Sequence, residues 1–320
     1  MDKLSIIIPC YRSEHTIQGV VEEIVAELDG SFEFEIILVN DASPDNVWEK
    51  IQALVADHGN RVKGIRFAKN FGQHAALMAG YRLSQGDIVI QMDDDGQTDP
   101  KGIFTLVDKI HEGYDVAFAR YPEIKQSVFR RFGSAVNRKM CVALIDMPPN
   151  LKPTSFSAAR RFVVEQIIRY ERPYPYIGGL LFQSTSNMCD VEIQHRKRAY
   201  GISNYTIGKL LKLWLNGFTA FSVKPLEFGI IVGVLAALAG FVYAIIVTMR
   251  KLLGFPVLVG WSSLISIILM LGGFILIMLG LVGEYVGRIY ISINNAPQYV
   301  IKDICENTNA PEEEAAGQTE

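Results

Sequence analysis

The chain lacks the features that mark several common protein classes. It has four cysteines in 320 residues, Cys10, Cys141, Cys189 and Cys305, and none shares a CxxC or Cys/His spacing with another. That argues against both a structural zinc site and a disulfide framework. Its net charge is only −3, too little one-signed excess for a dedicated nucleic-acid surface, so no nucleic acid is expected as a partner. A secretory leader is not expected either. The first apolar run covers only residues 4–9, without a basic segment and a small-residue cleavage site around it. Internal repeats are absent.

What is present is uneven. Six of the 34 acidic residues and none of the 31 basic ones fall in residues 303–320, so the body of the chain is weakly basic. The composition is 49% hydrophobic and 20% charged, with a mean hydropathy of +0.19. A soluble domain of this size is normally less apolar, and a polytopic transporter more so. One soluble domain with a few membrane spans gives this average.

Residues 1–120 alternate between two periods. Short runs rich in β-branched and aromatic residues occupy 4–9, 34–39, 63–68, 87–92 and 114–119. Between them, 16–28, 45–57, 72–84 and 100–112 carry helical spacing, with Thr16 and Asp99 as N-cap candidates and Pro100 at a first helical position. Apolar strands alternating with helices predict an α/β fold with a mostly parallel sheet covered on both faces. Ligands of such sheets sit at the carboxyl ends of the strands. Residues 126–145 and 161–171 read as further helices, with prolines punctuating the segments between.

The second half changes character. Ile207, Leu210, Leu211, Trp214, Phe218 and Phe221 recur at helical spacing, with Lys209, Lys212 and Asn216 off that face. An interfacial amphipathic helix over 206–224 is the favoured reading, and a core-facing helix the alternative. Residues 228–248 and 252–283 carry no charge. About 20 apolar residues cross a bilayer, so a transmembrane hairpin over 225–290 is expected, with spans near 228–248 and 257–283. Residues 291–320 read as a cytosolic tail, acidic and disordered from about 303. Lys209, Lys212, Lys224 and Arg288 flank one side and Arg250 and Lys251 the other, a weak bias that, without a leader, favours both termini inside.

The strand exits carry the chemistry. Asp93-Asp94-Asp95-Gly96-Gln97 follows the apolar run ending at Ile90. Adjacent carboxylates repel one another, so either a cation or solvent must separate them. Mg²⁺ or Mn²⁺ takes such oxygens and leaves positions open for phosphate. At the first exit stand Pro9, Tyr11 and Glu14; Tyr11 can stack on a base or pack in the core. At the second, Asp41 can accept from a nucleobase N–H or cap the next helix. At the third, Lys69 can reach a phosphate, while His74 reads as a helix-start residue.

These motifs together resemble glycosyltransferase family 2 of the GT-A fold. More narrowly, they resemble bacterial undecaprenyl-phosphate glycosyltransferases and, more distantly, dolichyl-phosphate mannose synthases. The resemblance rests on Ile8-Pro9-Cys10-Tyr11, Val39-Asn40-Asp41-Ala42-Ser43, Asn70 through Gly80, Asp93 through Gln97, His195 through Tyr205, and Gly283 through Tyr290. It implies that Pro9, Tyr11 and Asp41 hold a uridine, with Lys69 near the nucleotide. Glu14 stands close to a family glutamate position, and Arg12-Ser13 departs from the family's Asn-Glu. Asp93 and Asp95 are the implied catalytic pair and, with Gln97, the metal ligands, Asp94 lying beside the donor. Arg198, Ser203 and Tyr205 match a pattern expected to touch phosphates and lipid acceptor. Arg130 and Arg131 could bind the acceptor phosphate or form a solvated basic face.

The implied reaction is inverting transfer of a sugar from a UDP-sugar to undecaprenyl phosphate at the bacterial inner membrane, for cell-surface glycans such as lipopolysaccharide, by a homotetramer. A processive polysaccharide synthase is the rival reading, but it would carry a Gln-x-x-Arg-Trp motif, and no Arg-Trp pair occurs. An inactive GT-A membrane scaffold is a second rival, opposed by the intact Asp93, Asp95 and Gln97 set.

Overall fold

The computed structural model describes residues 2–121, 142, 147–149, 151–194, 196, 224–253, 260–293 and 297–307. The expected helix at 126–145, the amphipathic segment before 224, and Arg130, Arg131, His195, Arg198, Ser203 and Tyr205 lie outside these residues. The chain forms two compact units, one comprising Met1–Thr206 with Pro297–Glu320 and the other Ile207–Ala296.

The first unit opens with β1 (Lys3–Cys10), α1 (Ile17–Leu28), β2 (Glu33–Asn40), α2 (Val47–His58), β3 (Val62–Phe67), α3 (Gln73–Leu83) and β4 (Ile88–Gln91). It continues with α4 (Gly102–His111), β5 (Val116–Arg120), β6 (Ser157–Arg160), α5 (Arg161–Ile168), α6 (Ile177–Ser184) and β7 (Met188–Glu192), and regains a strand, β8 (Ile301–Cys305), near the C-terminus. The apolar alternation of the sequence maps onto these elements closely. Leu4, Ile6, Ile7 and Ile8 of β1 and Ile36 through Val39 of β2 are fully buried, as strands covered on both faces must be. On α1, Ile17, Val20, Val21, Ile24 and Leu28 form the buried stripe.

The sheet order is β7-β5-β6-β4-β1-β2-β3-β8. β1 pairs in parallel with β2 and β4, β2 with β3, and β5 with β7. β6 is antiparallel to both β4 and β5, and β8 is antiparallel to β3. Among the described residues β1, β2, β3, β4, β5 and β7 run one way and only β6 and β8 oppose them, so the sheet is mixed but mostly parallel, as expected. β6 lies between β4 and β5 and opposes both. The chain order reverses between β4 and β1, and that switch point opens a crevice beyond their carboxyl ends.

The expected start of disorder near 303 is corrected by β8, which runs to Cys305. Ile65 faces Ile304 and Arg66 faces Asp303 in register, and Arg66 Nη1 lies 3.7 Å from Asp303 Oδ2. Backbone pairing along an otherwise open strand orders a segment whose composition alone reads as tail.

The second unit holds α7 (Lys224–Leu252, 29 residues) and α8 (Trp261–Ile293, 33 residues). A β-carbon on Gly229 would stand 2.1 Å from Met278 Cε, and one on Gly233 4.0 Å from Phe274 Cε1. The rising and falling numbers make the pair antiparallel, packed closely through small residues. Among the described residues no helix counts as long and apolar enough to cross a membrane.

Candidate active site

The crevice at the switch point gathers the ends of β1, β2, β3 and β4. Asp93, Asp94 and Asp95 leave β4 half-buried. Asp94 turns toward β1: its Oδ2 accepts from the Tyr11 backbone N–H at 3.0 Å, and its carbonyl oxygen accepts from Thr16 Oγ1 at 2.7 Å. Thr16 makes no side-chain cap on α1; its hydroxyl ties the helix start to the acidic loop instead. Burial, then the neighbouring charges of Asp93 and Asp95, push the Asp94 carboxyl up to about 6 against hydrogen bonds from Ser13 and Tyr11 that lower it.

Asp93 is held from two other elements. Gln73 Nε2, at the start of α3, donates to its Oδ1 at 3.0 Å, and Ser155 Oγ, just before β6, donates to its Oδ2. Asp95 Oδ1 accepts from the Gln97 backbone N–H at 3.1 Å. Tyr121 lies close by, its hydroxyl 3.4 Å from Thr98 Oγ1. Burial raises its phenol, and the charges of Asp93 and Asp95 add to that.

Asp41 is buried and faces the loop after β3. Its two oxygens accept from the N–H groups of Phe71 at 2.6 Å and Gly72 at 2.8 Å. Burial raises its pKa even against these two bonds. The loop is closed by Asn70 Nδ2, which donates to the Asp41 carbonyl at 3.1 Å. Gly72, the residue before α3, has φ of +92°, a conformation glycine adopts without strain. Lys69 is exposed, with its Nζ 5.0 Å from the Phe71 ring centre.

At the β1 exit Pro9 is half-buried and the Tyr11 ring is exposed. The Arg12 guanidinium sits 5.6 Å from that ring's centre. Glu14 takes a structural part, accepting the Asn46 N–H at 2.9 Å ahead of α2. His74 keeps the helix-start role: its Nδ1 is buried without a hydrogen bond, its ring meets Tyr176 edge-on at 5.2 Å, and burial lowers its pKa to about 4.

Four groups at this site escape sequence reasoning as functional residues. Ser155 and Gln73 were legible only as segment members and Thr16 only as an N-cap candidate, because their role depends on which strand ends meet. Arg196 is the fourth. Its N–H donates to the Gln97 carbonyl at 2.8 Å, and its guanidinium reaches Glu23 at 2.7 Å and Asp99 at 3.2 Å. The basic character of the run around it was the available signal.

The carboxylates of Asp93 and Asp95 and the amide oxygen of Gln97 form an all-oxygen donor set on one loop. That chemistry fits Mg²⁺ or Mn²⁺ with positions left for a diphosphate. Among the described residues no group of three or more His, Cys, Asp or Glu gathers in metal-holding geometry.

The family model described as Glycosyl transferase family 2 matches residues 5–168, the segment that builds this crevice. The chain belongs to glycosyltransferase family 2. A second family model, the GtrB C-terminal hairpin, matches residues 224–289, the span of α7 and most of α8. This glycosyltransferase is 32% identical over 303 residues to the Uncharacterized glycosyltransferase YkcC of Bacillus subtilis, covering 93% of each chain. It is 32% identical over 320 residues to an Undecaprenyl-phosphate 4-deoxy-4-formamido-L-arabinose transferase of Pseudomonas aeruginosa, covering 96% of this chain and 92% of that one. Among solved structures, glucosyl-3-phosphoglycerate synthase of Mycobacterium tuberculosis, crystallised with Mn²⁺ and UDP-glucose, superposes with a TM-score of 0.51 at 21% identity, over 68% of this chain and 77% of that one. That likeness shows the GT-A fold.

Proposed function

We propose that this glycosyltransferase moves a sugar from a UDP-sugar to undecaprenyl phosphate at the cytosolic face of the bacterial inner membrane, with inversion at the sugar carbon. The observation that carries the reading is the acidic loop of β4 bonded to the β1 exit at the switch point, through Asp94 and the Tyr11 N–H at 3.0 Å. It puts carboxylates and an exposed aromatic ring on one crevice. The named relatives that act on undecaprenyl phosphate span nearly the whole chain, which supports the acceptor class.

Tyr11 offers a ring face for the uracil, and Asp41 holds the loop that bounds the nucleotide. Asp93, Asp95 and Gln97 would hold a divalent cation, which when bound screens charge on the departing diphosphate. The acceptor needs no general base. A phosphate monoester has a second pKa of about 6 and is already anionic at pH 7, so it needs placement and charge screening instead. Consistent with that, the segment before β6 carries Ser155, a partner of Asp93, in place of a further carboxylate. Arg130, Arg131, Arg198, Ser203 and Tyr205 are the proposed acceptor-phosphate set.

The membrane part of the proposal rests on α7 and α8. Ile230, Leu235, Phe241, Leu276 and Ile277 are each more than 60% exposed. An apolar surface of that extent is costly in water and ordinary in lipid. Residues 206–224 would lie in the headgroup region, and the protein would assemble as a homotetramer. The test is UDP release from a panel of UDP-sugars by the purified full chain, with and without undecaprenyl phosphate. Lipid-dependent release with one donor is expected; no lipid-dependent release from any donor would overturn the reading.

A further inference from the structure

Beyond the hairpin, the chain comes back to the first unit and packs along β3. Gln298 is buried, and its Nε2 donates to the carbonyls of Tyr170 at 2.7 Å and Arg172 at 2.8 Å. The Tyr299 ring stacks on Phe67, with centres 5.1 Å apart and planes 9° from parallel. Arg82 covers the same tyrosine, its Nη1 donating to the hydroxyl at 3.2 Å and its guanidinium 5.6 Å from the ring centre. The carbonyl of Val300 accepts from Ala68 N–H at 2.9 Å, and β8 continues the pairing.

These contacts fall at the carboxyl end of β3, where the donor-side loop begins. Phe67, stacked under Tyr299, meets Phe71 edge-on at 5.8 Å. Phe71 in turn gives its N–H to Asp41 at 2.6 Å. A continuous row of packed groups therefore runs Tyr299, Phe67, Phe71, Asp41. Without residues 297–305, β3 would be an open edge and Phe67 would lose one face. Aromatic pairs of this kind stabilise beyond their burial, enough to bias a short loop.

We propose that residues 297–305 are a strap that fixes the donor-side loop, with Tyr299 its positioning residue. The strap acts on the loop's conformation and touches no substrate. The kinetic half of this inference rests on the donor pocket proposed above; the structural half does not.

The experiment uses the full chain in detergent and compares wild type with Tyr299→Ala and Tyr299→Phe. Amide hydrogen exchange over residues 68–74 is read without any ligand, with β1 and β2 as internal reference. In Tyr299→Ala the Phe71 and Gly72 amides are expected to exchange at least about fivefold faster while the reference strands stay unchanged, as local opening allows. Tyr299→Phe keeps the ring and should exchange like wild type. In turnover assays Tyr299→Ala is expected to raise the UDP-sugar KM about threefold to tenfold and leave the lipid KM within about twofold. Gln298→Ala, which releases the strap's other anchor, gives the same exchange readout if Tyr299→Ala fails to fold. Unchanged exchange at Phe71 and Gly72, equal acceleration across the sheet, or Tyr299→Phe behaving like Tyr299→Ala would each overturn the strap. Faster loop exchange in a chain that turns over no UDP-sugar would sustain the strap and defeat the donor reading instead.

Discussion

Asp94 and Tyr11 are joined across the switch point, the carboxylate of one accepting the backbone N–H of the other at 3.0 Å. That bond turns the middle acid of the triplet into the protein. Asp93 and Asp95 are the acids proposed above to hold a cation or diphosphate. On that proposal the three adjacent carboxylates divide into one that fixes the loop and two that serve the crevice.

The division predicts unequal mutants. Asp95→Ala should lower transfer by about 10³-fold or more, the scale of losing a group that stabilises developing charge, with membrane insertion and thermal midpoint unchanged. Asp94→Asn retains an oxygen for the Tyr11 N–H and should lose less than about tenfold. Turnover numbers at saturating donor and Mg²⁺ check both; equal losses would refute the assignment.

Ser155 should act through Asp93. Removing its hydroxyl leaves Gln73 to orient that carboxylate, and one lost charge-assisted bond is worth about 1.5–3 kcal/mol. Ser155→Ala is therefore expected to cut kcat by about tenfold to a hundredfold, and Ser155→Thr to recover most of it. An alanine variant with full kcat would show that Gln73 alone suffices.

The legible and illegible parts of this molecule separate by range. The strands and helices up to β5 follow from apolar period, because β1, β2 and the stripe on α1 are buried as their patterns require. The strand exits were legible for the same reason: a buried strand that ends in three aspartates puts them on the ligand side. What sequence could not show depends on pairing between distant segments. β6 is four residues, Ser157–Arg160, too short for its period to register. β8 reads Ile-Lys-Asp-Ile-Cys, and only its partner β3, far back in the chain, makes it a strand. The bonds of Asp41 and Thr16 were hidden likewise, since the groups they bond belong to other strand ends.

A buried carboxylate far from the crevice makes stability depend on acid. Glu35 accepts from Ser5 Oγ at 2.6 Å, Gln85 N–H at 2.6 Å and Lys63 Nζ at 2.9 Å. Burial pushes its pKa up, but these three donors and the Lys63 charge outweigh that and hold it below the ordinary 4.5. A depressed carboxyl stabilises the fold above its unfolded pKa and loses that stabilisation as pH falls through the folded value. Glu35→Gln should cost about 3 kcal/mol at pH 7, because it strands the mostly buried Lys63. The gap in thermal midpoint between wild type and variant should narrow as pH drops below the ordinary 4.5 and through the lowered folded value. A gap that does not change from pH 7 to pH 3 would refute the role.

Two glycines should respond in opposite directions to the same substitution. Gly86 sits under the start of β1, where a β-carbon would stand 2.6 Å from Ser5 N and 2.7 Å from the Lys3 carbonyl oxygen. Both are backbone atoms, so no side chain can swing aside. The Gly86 N–H also donates to Ser5 Oγ at 2.7 Å, the hydroxyl that serves Glu35. Gly86→Ala must push β4 away from β1, the two strands that carry the Asp94–Tyr11 bond, and should cost about 1–3 kcal/mol. Gly19, on the exposed face of α1, has no atom within 4 Å of its β-carbon position. Gly19→Ala should stabilise by about 0.5–1 kcal/mol through helix propensity alone. Thermal unfolding of the full chain checks the pair: a raised midpoint for Gly86→Ala would mean that the β1–β4 spacing is looser than the structure shows, and with it the placement of the acidic loop.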